Sequence, residues 1–194
     1  MGIEIERKFL VNAKLLEQWQ ESTHEYLTTS FRFVQGYLSR NPWVRIRIID
    51  NQRAELTVKG SGSVSRQEFN YDIPLQDALD MNPLMKGVIE KVRYHVKYQG
   101  HMWEVDRFDG PLSGLWLAEI ELPSEDTVFD VPPWATHDVS HVGRYTNSKL
   151  ARLGLPCGCA HPNKGWKICR LTAGHKGKHD YADGSINHHP PSER

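Results

Sequence analysis

Charged residues on alternate positions carry the chemical signal in this chain. Glu4, Glu6 and Lys8 occupy every second position of "EIERK", and the pattern returns as Glu119 and Glu121 in "AEIEL". Arg45 with Arg47 in "VRIRI", and Lys91 with Arg93 in "EKVRY", repeat it with cations. A two-residue period puts each pair on one face of a strand, about 6.6 Å apart at a rise of about 3.3 Å per residue. Carboxylates this close repel unless a cation lies between them, and hard divalent ions such as Mg2+ and Mn2+ prefer carboxylate oxygen. Guanidinium forks and ammonium groups suit phosphate oxygens. These residue types point to a small polyanion gripped by the cations, with divalent metal held by the carboxylates.

The elements that must position these groups are strands. Eight segments alternate: residues 3–10, 33–39, 44–48, 54–59, 66–73, 89–96, 102–108 and 117–122. Connections rich in Gly, Asn, Asp, Ser and Pro suit antiparallel neighbours. Helical patterns are fewer: 13–21, a piece within 75–85 after Pro74, and 147–153, with Asn147 or Ser148 at its N-cap. The class is α+β, expected as a closed eight-stranded antiparallel β-barrel flanked by a few helices. One alternating strand alone would be read as a solvated outer face. Here charges of both signs recur on strand after strand, which turns those faces inward and predicts a polar tunnel. The outward apolar faces are then covered by the helices, the turns and the segment around Pro132, Pro133 and Trp134. Burying so many charges is costly unless they are paired or bind a ligand.

Bulk composition narrows the partners. Lys plus Arg equals Asp plus Glu, at 24 each, so no whole-molecule field favours nucleic acid or an anionic membrane, and any anion site is local. No apolar stretch approaches the roughly 20 residues needed to span a bilayer, and the N-terminus has no apolar signal region. The expectation is a soluble, cytoplasmic protein with a small polyanionic substrate and no membrane partner; the oligomeric state stays open.

In order along the chain, "EIERKFLV", "QGYLS", "VRIRI", "LTVKG", "SRQEFNYDI", "EKVRY", "EVDRF", "AEIEL" and "GRYTNSKLA" resemble the triphosphate tunnel metalloenzymes of the CYTH superfamily, particularly the short bacterial type. The likeness spans about residues 2–154 and implies the same triphosphate-binding barrel. It implies that Glu4, Glu6 and Glu121 hold a divalent ion, Mg2+ or Mn2+, with Glu119 and Asp106 serving a second ion or its water shell. It assigns Lys8, Arg45, Arg47, Lys59, Lys91 and Arg93 to the phosphate oxygens, with Arg66 and Glu68 organising that lining. It suggests a Lys8–Tyr37 dyad near the leaving or attacking oxygen, and it makes Lys91 and Arg93 the cations at the reacting phosphoryl group. Arg144 matches a late basic motif, although Gly143 stands where relatives often carry a second basic residue. The implied reaction is metal-dependent hydrolysis of a terminal phosphoryl group, with inorganic triphosphate the first substrate. Nucleoside, RNA 5′- or thiamine triphosphate are alternatives, and so is binding of a polyphosphorylated ligand without turnover. Signature segments of class IV adenylate cyclases are absent.

After Gly154 the apolar periodicity stops, which divides the chain into a domain at 1–154 and a tail at 155–194. All three cysteines lie in this tail. Cys157, Cys159, Cys169, His175 and His179 offer ligands for a structural Zn2+, taken as Cys169, His175, His179 and one of Cys157 or Cys159, with His161 in reserve. The tail's lysines make it locally basic, which leaves nucleic acid as a partner without further support.

Overall fold

The alternating segments become strands at Ile5–Val11 (β1), Thr29–Arg40 (β2), Trp43–Ile49 (β3), Arg53–Lys59 (β4) and Glu68–Ile73 (β5). They continue at Val88–Tyr98 (β6), His101–Phe108 (β7) and Trp116–Leu122 (β8), and a ninth, Ala135–Asp138 (β9), follows. Helices run over Ala13–Thr23 (α1), Leu75–Asp80 (α2) and Asn147–Leu153 (α3). The structure is a computed structural model that describes residues 5–23, 29–60 and 67–153, plus the backbone of short strands at 160–161, 164–168, 179–180 and 186–187.

The nine strands form one antiparallel sheet in the order β5-β4-β3-β2-β6-β7-β8-β1-β9. This corrects the expected closed barrel of eight. β9 takes the edge of β1 that closure would give to β5, and β5 pairs with β4 alone among the described residues. The short sequence "ATHD" is too brief for alternation to mark it. It is recruited by β1, where Thr136 Oγ1 also donates to the Leu10 carbonyl at 3.1 Å. The sheet still curls strongly, because side chains of β5 line the same cavity as those of β1 and β8.

Three apolar clusters hold this curl. On the convex side, Phe9, Val105, Ala118 and Ile120 pack beneath Leu16 of α1 and the fully buried Trp103 and Trp134. Asn12 starts α1 by accepting from the backbone N–H groups of Lys14 and Leu15 at 3.1 and 3.2 Å, which satisfies two donors that the helix start would leave unpaired. A second cluster sets Ile46, Ile48 and Ala54 of β3 and β4 against Ala78 of α2. The third lies on the concave side, where Ile89, Phe108 and Leu117 meet Val139, Val142, Tyr145 and Leu150. The polar trough is therefore stopped at one end by the segment leading into α3. That helix takes Thr146 rather than Asn147 or Ser148 at its start, since Leu150 N–H donates to the Thr146 carbonyl at 2.9 Å.

Candidate active site

Strand register brings the charged combs together. β1 and β8 set Glu6 opposite Glu121 and Lys8 opposite Glu119, and β7 sets Glu104 opposite Glu119. Across the trough, β3 and β4 align Arg45 with Thr57, Arg47 with Glu55, and Trp43 with Lys59. The side chains enclose a cavity of about 690 Å³, large enough for a triphosphate with metal and water. Among the expected cations, Lys8, Arg45, Arg47, Lys59 and Arg93 line it; among the carboxylates, Glu6, Glu119 and Glu121 do so, with Tyr37 and Trp43 at one side.

The cations differ in how they are held. Arg93 is bound by Asp106 through two hydrogen bonds of 2.7 Å, by Glu119 at 2.7 Å and by Glu104. Burial works against its charge, but Asp106 and Glu119 outweigh it and keep the guanidinium firmly protonated. Lys8 donates to Glu119, and to Glu6 at 3.4 Å; these partners overcome burial and hold it above the ordinary lysine value. Arg47 reaches Glu55 only at 3.8 Å, and burial together with the charges of Arg45 and Arg93 lowers it to about 10. Arg45 is 8% exposed; its Nη2 donates to Thr57 Oγ1 at 2.8 Å, and its Nε has no acceptor among the described residues. No carboxylate pairs with it there, so a buried positive charge faces the cavity uncompensated.

The acidic wall is crowded in the opposite sense. Burial, then Glu104 and Glu6, push the Glu121 carboxyl above its ordinary value. Glu119 is held well below it: burial is outweighed by Lys8 and Arg93. Among the described residues no three Asp, Glu, His or Cys side chains converge closely enough to form a metal cage.

Other expected residues stand back from the cavity. Lys91 is fully buried with its ammonium 2.5 Å from Asp106, and burial and the neighbouring Arg93 lower it to about 8. Asp106 is 1% exposed and spends its oxygens on Lys91 and Arg93, which depress its pKa against the effect of burial. Arg144 Nη1 donates to the Lys149 carbonyl at 3.3 Å, within the segment that stops the trough. Glu68, in contrast, lines the cavity, where it pairs with Lys59 across β4 and β5. Glu4, Arg66, Cys157, Cys159, Cys169 and His175 lie outside the described residues, and His179 and His161 are described by backbone alone. Sequence reasoning gave no role to Glu104, although it shares the "EVDRF" comb with Asp106; its contact with Arg93 needed the β6–β7 register to emerge.

Opposed cationic and carboxylate walls inside one curled antiparallel sheet are matched by the comparison with known proteins: the CYTH domain family covers residues 2–153. The chain belongs to the CYTH domain family. This CYTH chain is 39% identical over 157 residues to an inorganic triphosphatase of Acetivibrio thermocellus, covering 78% of the chain and 95% of that relative. It is 36% identical over 160 residues to an inorganic triphosphatase of Nitrosomonas europaea, covering 79% and 99%. The crystal structure of the inorganic triphosphatase NE1496 superposes with a TM-score of 0.55 at 32% identity, over 78% of this CYTH chain and 95% of that one. Among the described residues no helix is long and apolar enough to cross a membrane.

Proposed function

We infer that this protein hydrolyses the terminal phosphoanhydride bond of a triphosphate, inorganic triphosphate foremost, with Mg2+ or Mn2+ as cofactor. The observation that carries the reading is the buried Arg45 guanidinium, which has no carboxylate partner among the described residues, facing a wall of mutually repelling carboxylates across one cavity. Near-full-length likeness to two inorganic triphosphatases supports the same substrate.

The chain's own groups supply part of the binding and charge neutralisation that dominate catalysis of phosphoryl transfer. Arg45, Arg47 and Lys59 take the phosphate oxygens, and an arriving anion relieves the repulsion that lowers Arg47. Arg93, aimed by Asp106 and Glu119, and Lys8, aimed by Glu119 and Glu6, stand at the reacting phosphoryl group. Tyr37 lines the same wall. Glu6 and Glu121, with Glu104 beside them, supply the oxygens a hard divalent ion takes, and the crowding at Glu121 is what such a cation would relieve; the family resemblance adds Glu4 to that set. The metal would neutralise phosphate charge and orient the chain of phosphates. Water attacks the terminal phosphorus in line, and triphosphate plus water becomes diphosphate plus orthophosphate. Residues 1–154 form the catalytic unit in this reading, and 155–194 an appendage whose zinc content is a separate question.

The test is phosphate release from tripolyphosphate, ATP, thiamine triphosphate and 5′-triphosphorylated RNA, each with Mg2+ or Mn2+. Tripolyphosphate should be turned over fastest, giving equal amounts of diphosphate and orthophosphate. Faster release from ATP or RNA would move the substrate assignment. Tight tripolyphosphate binding without release from any substrate would make the protein a binder.

A further inference from the structure

Phe33 sits among three cations of one wall. It lies on the concave face of β2, 6% exposed, directly opposite Lys91 on β6, while its neighbours on that face, Phe31 and Gln35, lie opposite Arg93 on β6 and Arg47 on β3. Its ring centroid is 4.6 Å from Arg47 Cζ, 5.7 Å from Arg93 Cζ and 5.8 Å from Lys91 Nζ. Phe31 stacks against it at 6.4 Å with the ring planes 12° apart, which fixes its orientation. Three like charges are thus gathered about one aromatic ring. Arg93 and Lys91 also have Asp106, but among the described residues Arg47 has only a distant Glu55 and the Gln35 amide oxygen at 3.3 Å. An aromatic face is electron-rich and attracts cations, most strongly where water is excluded.

We propose that Phe33 is a positioning residue whose ring holds Arg47, and with it Lys91 and Arg93, against their mutual repulsion, so that the cations are spaced for a phosphate chain before it arrives. A leucine would fill the same space but offer no π face. Arg47 lines the cavity and is the cation nearest the ring, so the ring acts on substrate through it. The activity readout rests on the triphosphatase reading; the stability readout does not.

The experiment places 4-fluoro-, 3,5-difluoro- and 3,4,5-trifluorophenylalanine at position 33 in the full chain, with Phe33→Leu alongside. Fluorination withdraws electron density from the ring face at nearly constant shape and raises its apolar character. The proposal expects kcat/KM for tripolyphosphate to fall stepwise, reaching about a tenfold loss at trifluoro, and Tm of the ligand-free protein to fall in the same order. Unchanged kcat/KM with flat or rising Tm across the series overturns it, even if Phe33→Leu loses activity, because shape alone would then suffice. If the unsubstituted protein releases no phosphate from any triphosphate, the proposed function fails and the order of Tm values decides this inference alone.

Discussion

Arg45 and Arg93 are buried guanidinium groups on one cavity, and their partners set their roles apart. Arg93 is tied to Asp106, Glu119 and Glu104, whereas Arg45 donates to the Thr57 hydroxyl. Arg45→Ala should therefore raise KM for tripolyphosphate by roughly 10- to 100-fold, the worth of a lost charged hydrogen bond, with little change in the urea midpoint. Asp106→Asn should instead destabilise the fold by about 3–5 kcal/mol, since it leaves Arg93 and Lys91 short of a buried counter-charge; urea unfolding distinguishes the two. The cavity-lining combs were legible in the sequence because a two-residue period decides which face a side chain joins. Alternation does not say whether an inward charge meets ligand or another charge. That is why Lys91 and Asp106, both of inward phase, turn out bound to each other behind the lining. Arg144 follows the last long strand, where no period constrains it.

Element boundaries failed where polarity changed phase. On β2, Phe31 and Phe33 point into the trough and Arg32 points out, but four residues on it is Gln35 and Tyr37 that point in and Val34 that packs outside. A single-phase reading begins the strand late and loses its aromatic end. The apolar plug was invisible for a related reason: its parts come from β6, β7, β8 and the segment 139–150, which no local pattern connects. Gly87 tests how α3 is seated on β6. Its φ of +74° suits glycine, and a Cβ there would come within 2.6 Å of the Ala151 carbonyl oxygen. Gly87→Ala should cost about 1–3 kcal/mol, read by urea unfolding, and raise KM by displacing the segment that stops the trough.

Across the whole molecule the equal totals of 24 basic and 24 acidic residues hide a strong local separation of charge, and pH exposes it. Lys91 titrates at about 8 in the folded protein against an ordinary 10.5. Between those values the unfolded chain holds a proton that the folded one has released, so stability should rise with pH over that window, and Lys91→Met should flatten the rise in urea titrations. Deleting residues 155–194 should leave triphosphate hydrolysis intact if the catalytic unit ends near 154. The most direct measurement is phosphate release from tripolyphosphate by Glu121→Gln across a range of Mg2+ or Mn2+ concentrations. If the carboxylate wall holds the metal and the cationic wall the phosphates, this variant should still bind tripolyphosphate without metal, yet hydrolyse tripolyphosphate with metal at least a hundredfold more slowly, on the order of the loss of one strong transition-state contact. Hydrolysis at the unsubstituted rate and metal requirement would contradict the account.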